Sequence, residues 1–262
     1  MSYHMIFSVV NEHTASVVTA RYAMSLAAAC KAELLLYAAH DEAGDEGILL
    51  RTNRHLDHLQ TDACESGVRV TRVTEVGTIG ALLPKRAAAA KADLVCYPLS
   101  SDKRGRLQLR MVHHLQRTIA SDLAIMRIIT MVKPHPIHIL VPLGMVASRK
   151  ERRLMFITEL AKSFQSQVTL FHLSTKRGVK EMPESISRFR EQLQQQQITV
   201  LERQGTGTIA ESIGIEAITH HNDLIVLGSS ERGMLRKVLL GNPAADIMRQ
   251  PPCNTILFRP HS

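Results

Sequence analysis

The stretch from Asp223 to Phe258 reads DLIVLGSSERGMLRKVLLGNPAADIMRQPPCNTILF, and its pattern predicts a strand, a loop, a helix and a strand in direct succession. Leu224 to Leu227 form a short apolar run, which is typical of a buried strand, and Gly228 ends this run. Asn242 followed by Pro243 indicates the start of a helix, because asparagine caps the first turn and proline fits its first position. A loop between a buried strand and a helix start offers backbone N–H groups to an anion. We therefore expect this loop to decide what the protein binds.

The chain contains an internal repeat, which is visible in two pairs of short segments. The residues GTI at 77–79 return as GTI at 207–209, and DLVCY at 93–97 returns as DLIVL at 223–227. The repeat distance is about 130 residues, which is the size of a domain rather than of a solenoid unit. The repeat therefore predicts two homologous domains in one chain.

The two predicted domains are residues 1–131 and 137–262. They are joined by VKPHP at 132–136, whose two prolines are typical of a linker. Each domain alternates strand patterns with helical patterns, and its strands are apolar enough to be buried on both faces. This predicts the α/β fold class, with each domain an open, doubly wound, five-stranded parallel sheet that carries helices on both faces.

Apolar periodicity predicts the bounds of the elements. In the first domain we predict strands at 5–10, 32–39, 68–75, 93–97 and 125–130, and helices at 15–30, 49–66, 79–91 and 110–120. In the second domain we predict strands at 138–141, 167–173, 198–201, 222–227 and 255–258. Ligands of such sheets bind at the carboxyl ends of the strands where the strand order reverses, so we expect the site at the loops after the first and fourth strands.

The composition predicts neither a nucleic-acid partner nor membrane insertion. The formal charge is +8, but the basic residues are scattered or paired with acids, as in RKERR at 149–153 on a predicted helix. Tryptophan is absent and aromatic residues make up 4%, so the stacking rings of a nucleic-acid surface are missing. No apolar run approaches the roughly 18 residues of a membrane span, and the N-terminus lacks the pattern of a secretory signal. We expect a cytoplasmic location.

Neither a metal site nor a catalytic residue is predicted. The cysteines have no CxxC spacing, so we expect buried free thiols; they are Cys30, Cys64, Cys96 and Cys253. The histidine pairs lack a Glu or Cys partner at a metal-binding spacing; they are His55 with His58, His113 with His114, and His220 with His221. The chain has no GxSxG motif and no lysine-containing P-loop.

The order of elements, the segment GSSERGMLRKVLLGN at 228–242 and the ending IMRQPPCNTILF at 247–258 resemble the universal stress protein family, here as a tandem pair. The resemblance covers nearly the whole chain and is more specific in the second half. It implies adenine-nucleotide alpha-hydrolase-like domains, with ATP or AMP as the ligand. In nucleotide-binding members the loop after strand four reads G-x2-G-x9-G-(S/T) and holds the phosphates, and an acidic residue after strand one lies near the adenosine.

Carried over to this sequence, the loop motif is incomplete. Gly228 matches the first glycine, Gly241 matches the third, and Asn242 stands for the Ser/Thr. Ser229 follows the first glycine and is expected in the same site. Glu231 stands where the second glycine is expected. The resemblance thus implies that Gly228, Ser229, Gly241 and Asn242 bind the cofactor.

The strand-one motif V-P-x-D-G of the family also differs here. It appears as VPLGM at 141–145, so Val141 and Pro142 remain as candidate contacts while the acid is missing. In the first domain the loop after the fourth strand reads YPLSSDKRGR at 97–106, with Pro98 near the place of Gly228. Phosphate binding in the manner of the family is therefore expected to be lost in the first domain.

Electrostatics predict weak or absent ATP binding in the second domain. A Glu231 carboxylate that faces a phosphate at ~4 Å is repelled by about 1 to 4 kcal/mol, whereas a helix N-terminus stabilises an anion by about 0.3 to 1 kcal/mol. Two alternatives stay open. Glu231 can point to solvent, or it can pair with a cation, and such a cation can itself hold a phosphate; the candidates are Arg232, Arg236 and Lys237.

These observations predict a non-catalytic tandem universal stress protein that serves as a stress-response or regulatory binding module. One alternative is a cytosolic regulatory domain related to those of cation/proton antiporters, and another is a slow ATP-hydrolysing enzyme. The resemblance implies that the two domains pair as an intramolecular pseudo-dimer through their terminal strands. We also expect that two chains can associate into a homodimer and that the protein binds a protein partner that the sequence does not identify.

Overall fold

A computed structural model describes most of the chain. The described residues are 2–41, 45–100, 108–131, 135–144, 150–173, 182–228 and 243–261. The chain divides into two compact units, one of residues 1–134 with 259–262 and the other of residues 135–258. The domain boundaries drawn from the sequence stay a prediction. No described helix is long and apolar enough to cross a membrane.

The first unit is a parallel sheet flanked by helices. Its strands are β1 (Met5–Val9), β2 (Glu33–His40), β3 (Val70–Val76), β4 (Leu94–Pro98) and β5 (Asp122–Arg127). Its described helices are α1 (Thr14–Cys30), α2 (Glu46–Glu65), α3 (Ile79–Ala89) and α4 (Leu109–Thr118). The strand order is β3-β2-β1-β4-β5, with all neighbours parallel. Helix α1 packs against α2, and α3 packs against α4. Right-handed crossovers on either side of β1 put these two pairs on opposite faces.

The second unit repeats this architecture. Its strands are β6 (His138–Leu143), β7 (Gln167–Leu173), β8 (Val200–Gly205), β9 (Leu224–Gly228) and β10 (Asn254–Arg259), of which only the last residue, Arg259, is grouped with the first unit. Its described helices are α5 (Lys150–Phe164), α6 (Glu184–Gln195), α7 (Ile209–Thr219) and α8 (Pro243–Arg249). The strand order is β10-β9-β6-β7-β8, again with parallel neighbours. The predicted fold class, two repeated five-stranded parallel α/β sheets, is confirmed.

Continuous burial of the central strands forms the core of each unit. In β1, Ile6 and Phe7 are fully buried, and in β6 the same is true of Ile139, Leu140 and Val141. Consecutive side chains of a strand point to opposite faces of the sheet. Both faces are therefore covered, which explains why these strands read as unbroken apolar runs rather than as alternating patterns.

Polar residues shift two element bounds from their predicted places. Helix α2 begins at Glu46 rather than at residue 49, because the Asp45 carboxylate caps it and accepts a hydrogen bond of 2.7 Å from the N–H of Gly47. Strand β5 begins at Asp122 rather than at residue 125. Asp122 is fully buried and accepts a hydrogen bond of 3.0 Å from the Tyr3 hydroxyl, so a charged residue extends the strand.

The expected burial of the thiols holds for two of the four cysteines. Cys96 and Cys253 are buried, Cys30 is half-buried and Cys64 is exposed. The expectation for Cys64 was wrong, because this residue lies on the outer face of α2, one position after the buried Ala63. Burial raises the pKa of both the Cys96 and the Cys253 thiol to about 12, so neither is a thiolate at neutral pH.

Candidate functional site

The candidate site of the second unit lies at the carboxyl ends of β6 and β9, where the strand order reverses. The two strands pair at Ile139 with Leu224 and at Leu140 with Ile225. In open parallel sheets, ligands bind in the crevice beyond the ends of such a strand pair. Residues 141–143 of β6 and 226–228 of β9 therefore form the walls of the crevice among the described residues.

The side chain of Arg153, from α5, lies in this crevice. Its Nη2 atom donates hydrogen bonds to the carbonyl oxygens of Pro142 at 2.9 Å and of Val226 at 3.1 Å. One guanidinium thus bridges the ends of β6 and β9. Only 8% of the residue is exposed. Within the described part of the chain its Nε atom has no hydrogen-bond partner.

Helical spacing explains why a charged residue is buried here. Arg153 shares one face of α5 with Phe156, Ile157 and Leu160, which follow it three, four and seven positions along the helix. These three side chains are fully buried. Burial lowers the pKa of the Arg153 guanidinium to about 10, so the group is still protonated at neutral pH. The crevice therefore contains a fixed positive charge.

Gly228 provides the space that this guanidinium occupies. A Cβ atom added at Gly228 would lie 2.8 Å from Nη1, 2.9 Å from Cζ and 3.2 Å from Nε of Arg153. The guanidinium therefore lies directly against the Gly228 main chain. Because Arg153 is buried and bonded to two carbonyls, it has little freedom to move aside for a larger residue.

The predicted site residues fall on both described and undescribed parts of the chain. Val141 is fully buried within β6, Pro142 contributes a carbonyl to Arg153, and Gly228 lies against the guanidinium. The structure brings these three together. Ser229, Gly241, Asn242 and Glu231 lie outside the described residues. The assignment of all six residues to a cofactor site stays a prediction.

Sequence reasoning missed Arg153, which was grouped with the scattered charges of the segment 149–153. A signal was nevertheless present. The residue stands at the head of the apolar stripe of α5, one turn before Phe156, and this spacing places it on the buried face. A lone charge on an apolar helical face is the pattern that marks a buried, bonded group.

The equivalent crevice of the first unit, between β1 and β4, has different residues. Counting from the paired residues Ile6 and Leu94, which match Ile139 and Leu224, Pro98 takes the place of Gly228. Pro98 is buried, as is Leu99 after it. This agrees with the expectation that the glycine needed for close approach of a phosphate is missing from this unit.

In the first unit, two backbone N–H groups of the loop after β1 donate hydrogen bonds to side chains of the same segment. The N–H of Asn11 donates to Ser16 Oγ at 3.0 Å, and the N–H of His13 donates to Asn11 Oδ1 at 3.0 Å. The Asn11 carbonyl oxygen lies 2.8 Å from Nδ1 of His55. Two N–H groups of the loop before α1 are thus engaged with side chains and are not available to an anion.

A second polar cluster links β2, β3 and α3 of the first unit. The Glu75 carboxylate accepts hydrogen bonds from the Tyr37 hydroxyl at 2.8 Å and from the Arg86 guanidinium. The bond to Arg86, then that to Tyr37, lowers the pKa of Glu75. Burial, reinforced by Glu75, raises the pKa of Tyr37. The cluster therefore holds an ionised carboxylate beside a neutral phenol at neutral pH.

Two of the described histidines contact nearby oxygen atoms. His114 Nε2 lies 2.8 Å from the carbonyl oxygen of Gly80, and His220 Nδ1 lies 3.0 Å from Glu216 Oε1. Among the described residues, no group of three or more His, Cys, Asp and Glu side chains is placed to hold a metal ion.

Comparison with known proteins identifies the class to which this fold and crevice belong. Residues 137–259 match the model of the Universal stress protein family. A universal stress protein from Archaeoglobus fulgidus DSM 4304 superposes with a TM-score of 0.71 at 12% identity, over 98% of this chain and 97% of that chain. The second half of the chain is thus a domain of the universal stress protein family and the first half repeats its fold. The recognition of the family is confirmed for residues 137–259, and the repeated fold of the first half agrees with a tandem form.

Two further solved structures share the fold across both halves. A functionally unknown protein from Pseudomonas aeruginosa PAO1 matches with a TM-score of 0.67 at 15% identity, over 98% of this chain and 93% of that chain. The cytoplasmic domain of a prokaryotic cation chloride cotransporter matches with a TM-score of 0.65 at 9% identity, over 98% and 95% of the two chains. A comparison of the sequence with curated proteins found no match.

Proposed function

We propose that this protein is a non-catalytic regulatory binding module of the universal stress type, with weak or lost binding of ATP and AMP in its second domain. The observation that carries the proposal is the occupation of the crevice between β6 and β9 by the Arg153 guanidinium. The missing acid after β6 supports it, because Leu143 and Gly144 follow Pro142. In the first domain, Pro98 at the equivalent crevice supports the loss of nucleotide binding there.

Isothermal titration calorimetry tests this proposal. We expect the dissociation constants of ATP and AMP to be about 1 mM or weaker, which corresponds to a binding free energy of about −4 kcal/mol or less in magnitude. Stoichiometric binding at micromolar concentration would overturn the proposal. Mass spectrometry of ligands retained through native purification then tests whether the domain carries a small molecule in the cell.

We further propose that the protein acts in the cytoplasm and that its two domains pair as an intramolecular pseudo-dimer, which the resemblance to the family supports. Solution scattering on the wild type and on Ile256→Pro tests the pairing, because proline removes a backbone donor from β10. An unchanged domain arrangement in the variant would count against it. Sedimentation equilibrium tests whether two chains associate further.

A second candidate function is the regulation of a cation transporter. It is favoured by the match in fold to the cytoplasmic domain of a prokaryotic cation chloride cotransporter across both halves. The test is flotation of the purified protein with membrane vesicles from its own cells, before and after protease treatment of the vesicles. Retention that protease abolishes supports a membrane protein partner, and the absence of retention excludes this function under the tested conditions.

A third candidate function is slow hydrolysis of ATP. Measuring phosphate release against a blank without protein tests it directly. We expect release at the level of the blank, because no general base is identified among the described residues near the crevice. Release that exceeds the blank and falls in proportion when the protein is diluted would establish an enzyme instead.

A further inference from the structure

We propose that Arg153 is a built-in occupant of the ligand crevice in the second domain, and that Arg153 and Gly228 act as one unit that excludes adenine nucleotides. This inference rests on the proposed function, since it names the residues that decide what the site rejects. Arg153 is then a specificity-determining residue, and Gly228 is retained for Arg153 rather than for phosphate.

The Arg153 guanidinium lies beyond the last paired residues of β6 and β9. In the first unit the ladder between β1 and β4 extends to a third pair, Ser8 with Cys96. In the second unit the ladder between β6 and β9 ends after two pairs, and beyond it the Arg153 Nη2 atom donates to one carbonyl from each strand. The guanidinium thus takes the place between the strand ends where a ligand of such a sheet is expected.

Two hydrogen bonds hold the Arg153 guanidinium in place. Both hydrogen bonds involve a charged donor, and such bonds are stronger than those between neutral groups. The residue is 8% exposed and continues the apolar stripe of α5. A nucleotide that enters the crevice must therefore break two charge-assisted bonds and remove this donor from the part-buried carbonyl of Pro142 and the buried carbonyl of Val226, which opposes its binding.

Arg153 and Gly228 can be compared with the residues at the equivalent positions of the first unit. Helices α1 and α5 end in the same way, since Lys31 and Gln165 both have positive φ and the next residue in each case closes the turn. Counting back from these ends, Thr19 is the equivalent of Arg153. Thr19 is fully buried and donates to the Ala15 carbonyl of its own helix.

Each unit therefore combines one residue on its first helix with one residue at the end of its fourth strand. The first has a small residue on the helix and Pro98 at the end of β4, whereas the second has Arg153 on the helix and Gly228 at the end of β9. A Cβ at Gly228 would lie 2.8 Å from Nη1 of Arg153, which is closer than a non-bonded contact allows. The glycine is thus needed wherever the arginine is present.

Calorimetric titration with ATP and with AMP tests the exclusion, using the wild type, Arg153→Ala and Arg259→Ala. Arg259 is the matched control, because it is also buried and also donates to main-chain carbonyls, but it belongs to the first unit. We expect Arg153→Ala to bind ATP at least about 10-fold more tightly than the wild type, and the control to match the wild type. Equal or weaker binding by Arg153→Ala overturns the inference.

A thermal double-mutant cycle tests the coupling without any ligand and keeps the inference falsifiable if Arg153→Ala is poorly folded. We expect Gly228→Ala to lower the Tm of the wild type by about 4 to 8 °C, as overpacking does in a domain of this size. In the Arg153→Ala background the same substitution should leave the Tm unchanged. Equal losses in both backgrounds, or no loss in the wild type, contradict the close contact and overturn the inference.

The two proposals fail in different ways. Tight ATP binding by the wild type overturns the proposed function. Weak ATP binding that is the same in the wild type and in Arg153→Ala overturns the role of Arg153 and leaves the proposed function standing.

Discussion

Asp93 and Asp223 hold equivalent positions in the two units, and the carboxylate of each caps the amino end of the first strand of its sheet. Asp93 Oδ2 accepts hydrogen bonds from the N–H groups of His4 at 2.7 Å and of Met5 at 2.9 Å. Asp223 Oδ2 accepts from the two equivalent N–H groups at 3.0 and 3.1 Å. The repeated DL segment found in the sequence is thus a repeated link between the fourth strand and the first.

Asp93→Ala and Asp223→Ala should each destabilise the protein. Each substitution leaves two main-chain N–H groups without their acceptor, and we expect a loss of about 1 to 3 kcal/mol in the free energy of unfolding. Urea denaturation followed by circular dichroism measures it. Asp41→Ala is the control, because Asp41 is exposed, and it should change the free energy by less than about 0.5 kcal/mol. Equal effects at all three sites would contradict the capping role.

The stability of the first unit should fall in acid through Glu75. Arg86 and Tyr37 lower the pKa of this carboxyl in the folded state, while the unfolded chain has the ordinary value of about 4.3. The stabilisation is therefore complete above the unfolded pKa and is lost as the pH falls through the folded pKa. Thermal melts from about pH 6 to about pH 2 cover the range in which carboxyl groups titrate. The acid-induced fall in Tm should be smaller for Glu75→Gln than for the wild type. Parallel pH profiles would contradict the linkage.

Two glycines of the second unit should respond to alanine in opposite directions. A Cβ at Gly205, the last residue of β8, would lie 2.4 Å from Cζ of the buried Phe171 ring, so Gly205→Ala should cost about 1 to 3 kcal/mol by overpacking. A Cβ at Gly214, within α7, meets no atom within 4 Å. Gly214→Ala should therefore stabilise the helix by about 0.5 to 1 kcal/mol. Urea titration of both variants measures the change in the free energy of unfolding. Destabilisation by Gly214→Ala would contradict the prediction.

Arg259 should contribute to the stability of the first unit. Its Nη2 atom donates to the carbonyl oxygens of Ile119 at 2.7 Å and of Ser121 at 2.8 Å, and the residue is 7% exposed. Because Arg259→Ala leaves both carbonyls without this donor, we expect a loss of about 2 to 4 kcal/mol. Hydrogen exchange should show reduced protection at the start of β5. The control is Arg188→Ala, which removes an exposed ion pair with Glu184 and should cost under about 1 kcal/mol. Unchanged exchange in β5 would contradict the prediction.

The sheets of both units could be predicted from the sequence because central parallel strands must be buried on both faces. Strands such as β7, predicted at residues 167–173 and found at Gln167–Leu173, show this as an apolar run. The bounds were less accurate at sheet edges. Strand β8 was predicted at 198–201 and runs from Val200 to Gly205, because its alternately exposed side chains include polar and charged residues. An edge strand is defined by its hydrogen bonds to β7, which apolarity does not report.

The sequence indicated which strand ends flank the candidate site, but it did not indicate that Arg153 lies between them. The rule that ligands bind where the strand order reverses pointed to the loops after the first and fourth strands. The resemblance to the family then named Val141, Pro142 and Gly228, which lie at the ends of β6 and β9, and their assignment to a cofactor site stays a prediction. The group that fills the space between them comes from α5, in a segment grouped with the scattered charges. Nothing in the local pattern around Gly228 indicates that an arginine many residues earlier lies against it.

The amino-acid sequence alone determined the two-domain α/β organisation. Local apolar runs indicate the buried strands, and segments that recur at a domain-length distance indicate the two domains. The sequence also indicated the loops after the first and fourth strands as the place of the site, while the strand order that forms the crevice is seen in the structure. The tertiary structure decided what occupies the crevice. Whether Gly228 makes room for a phosphate or for Arg153 depends on a contact between residues far apart in the chain, and only the folded packing of α5 onto β6 and β9 establishes that contact.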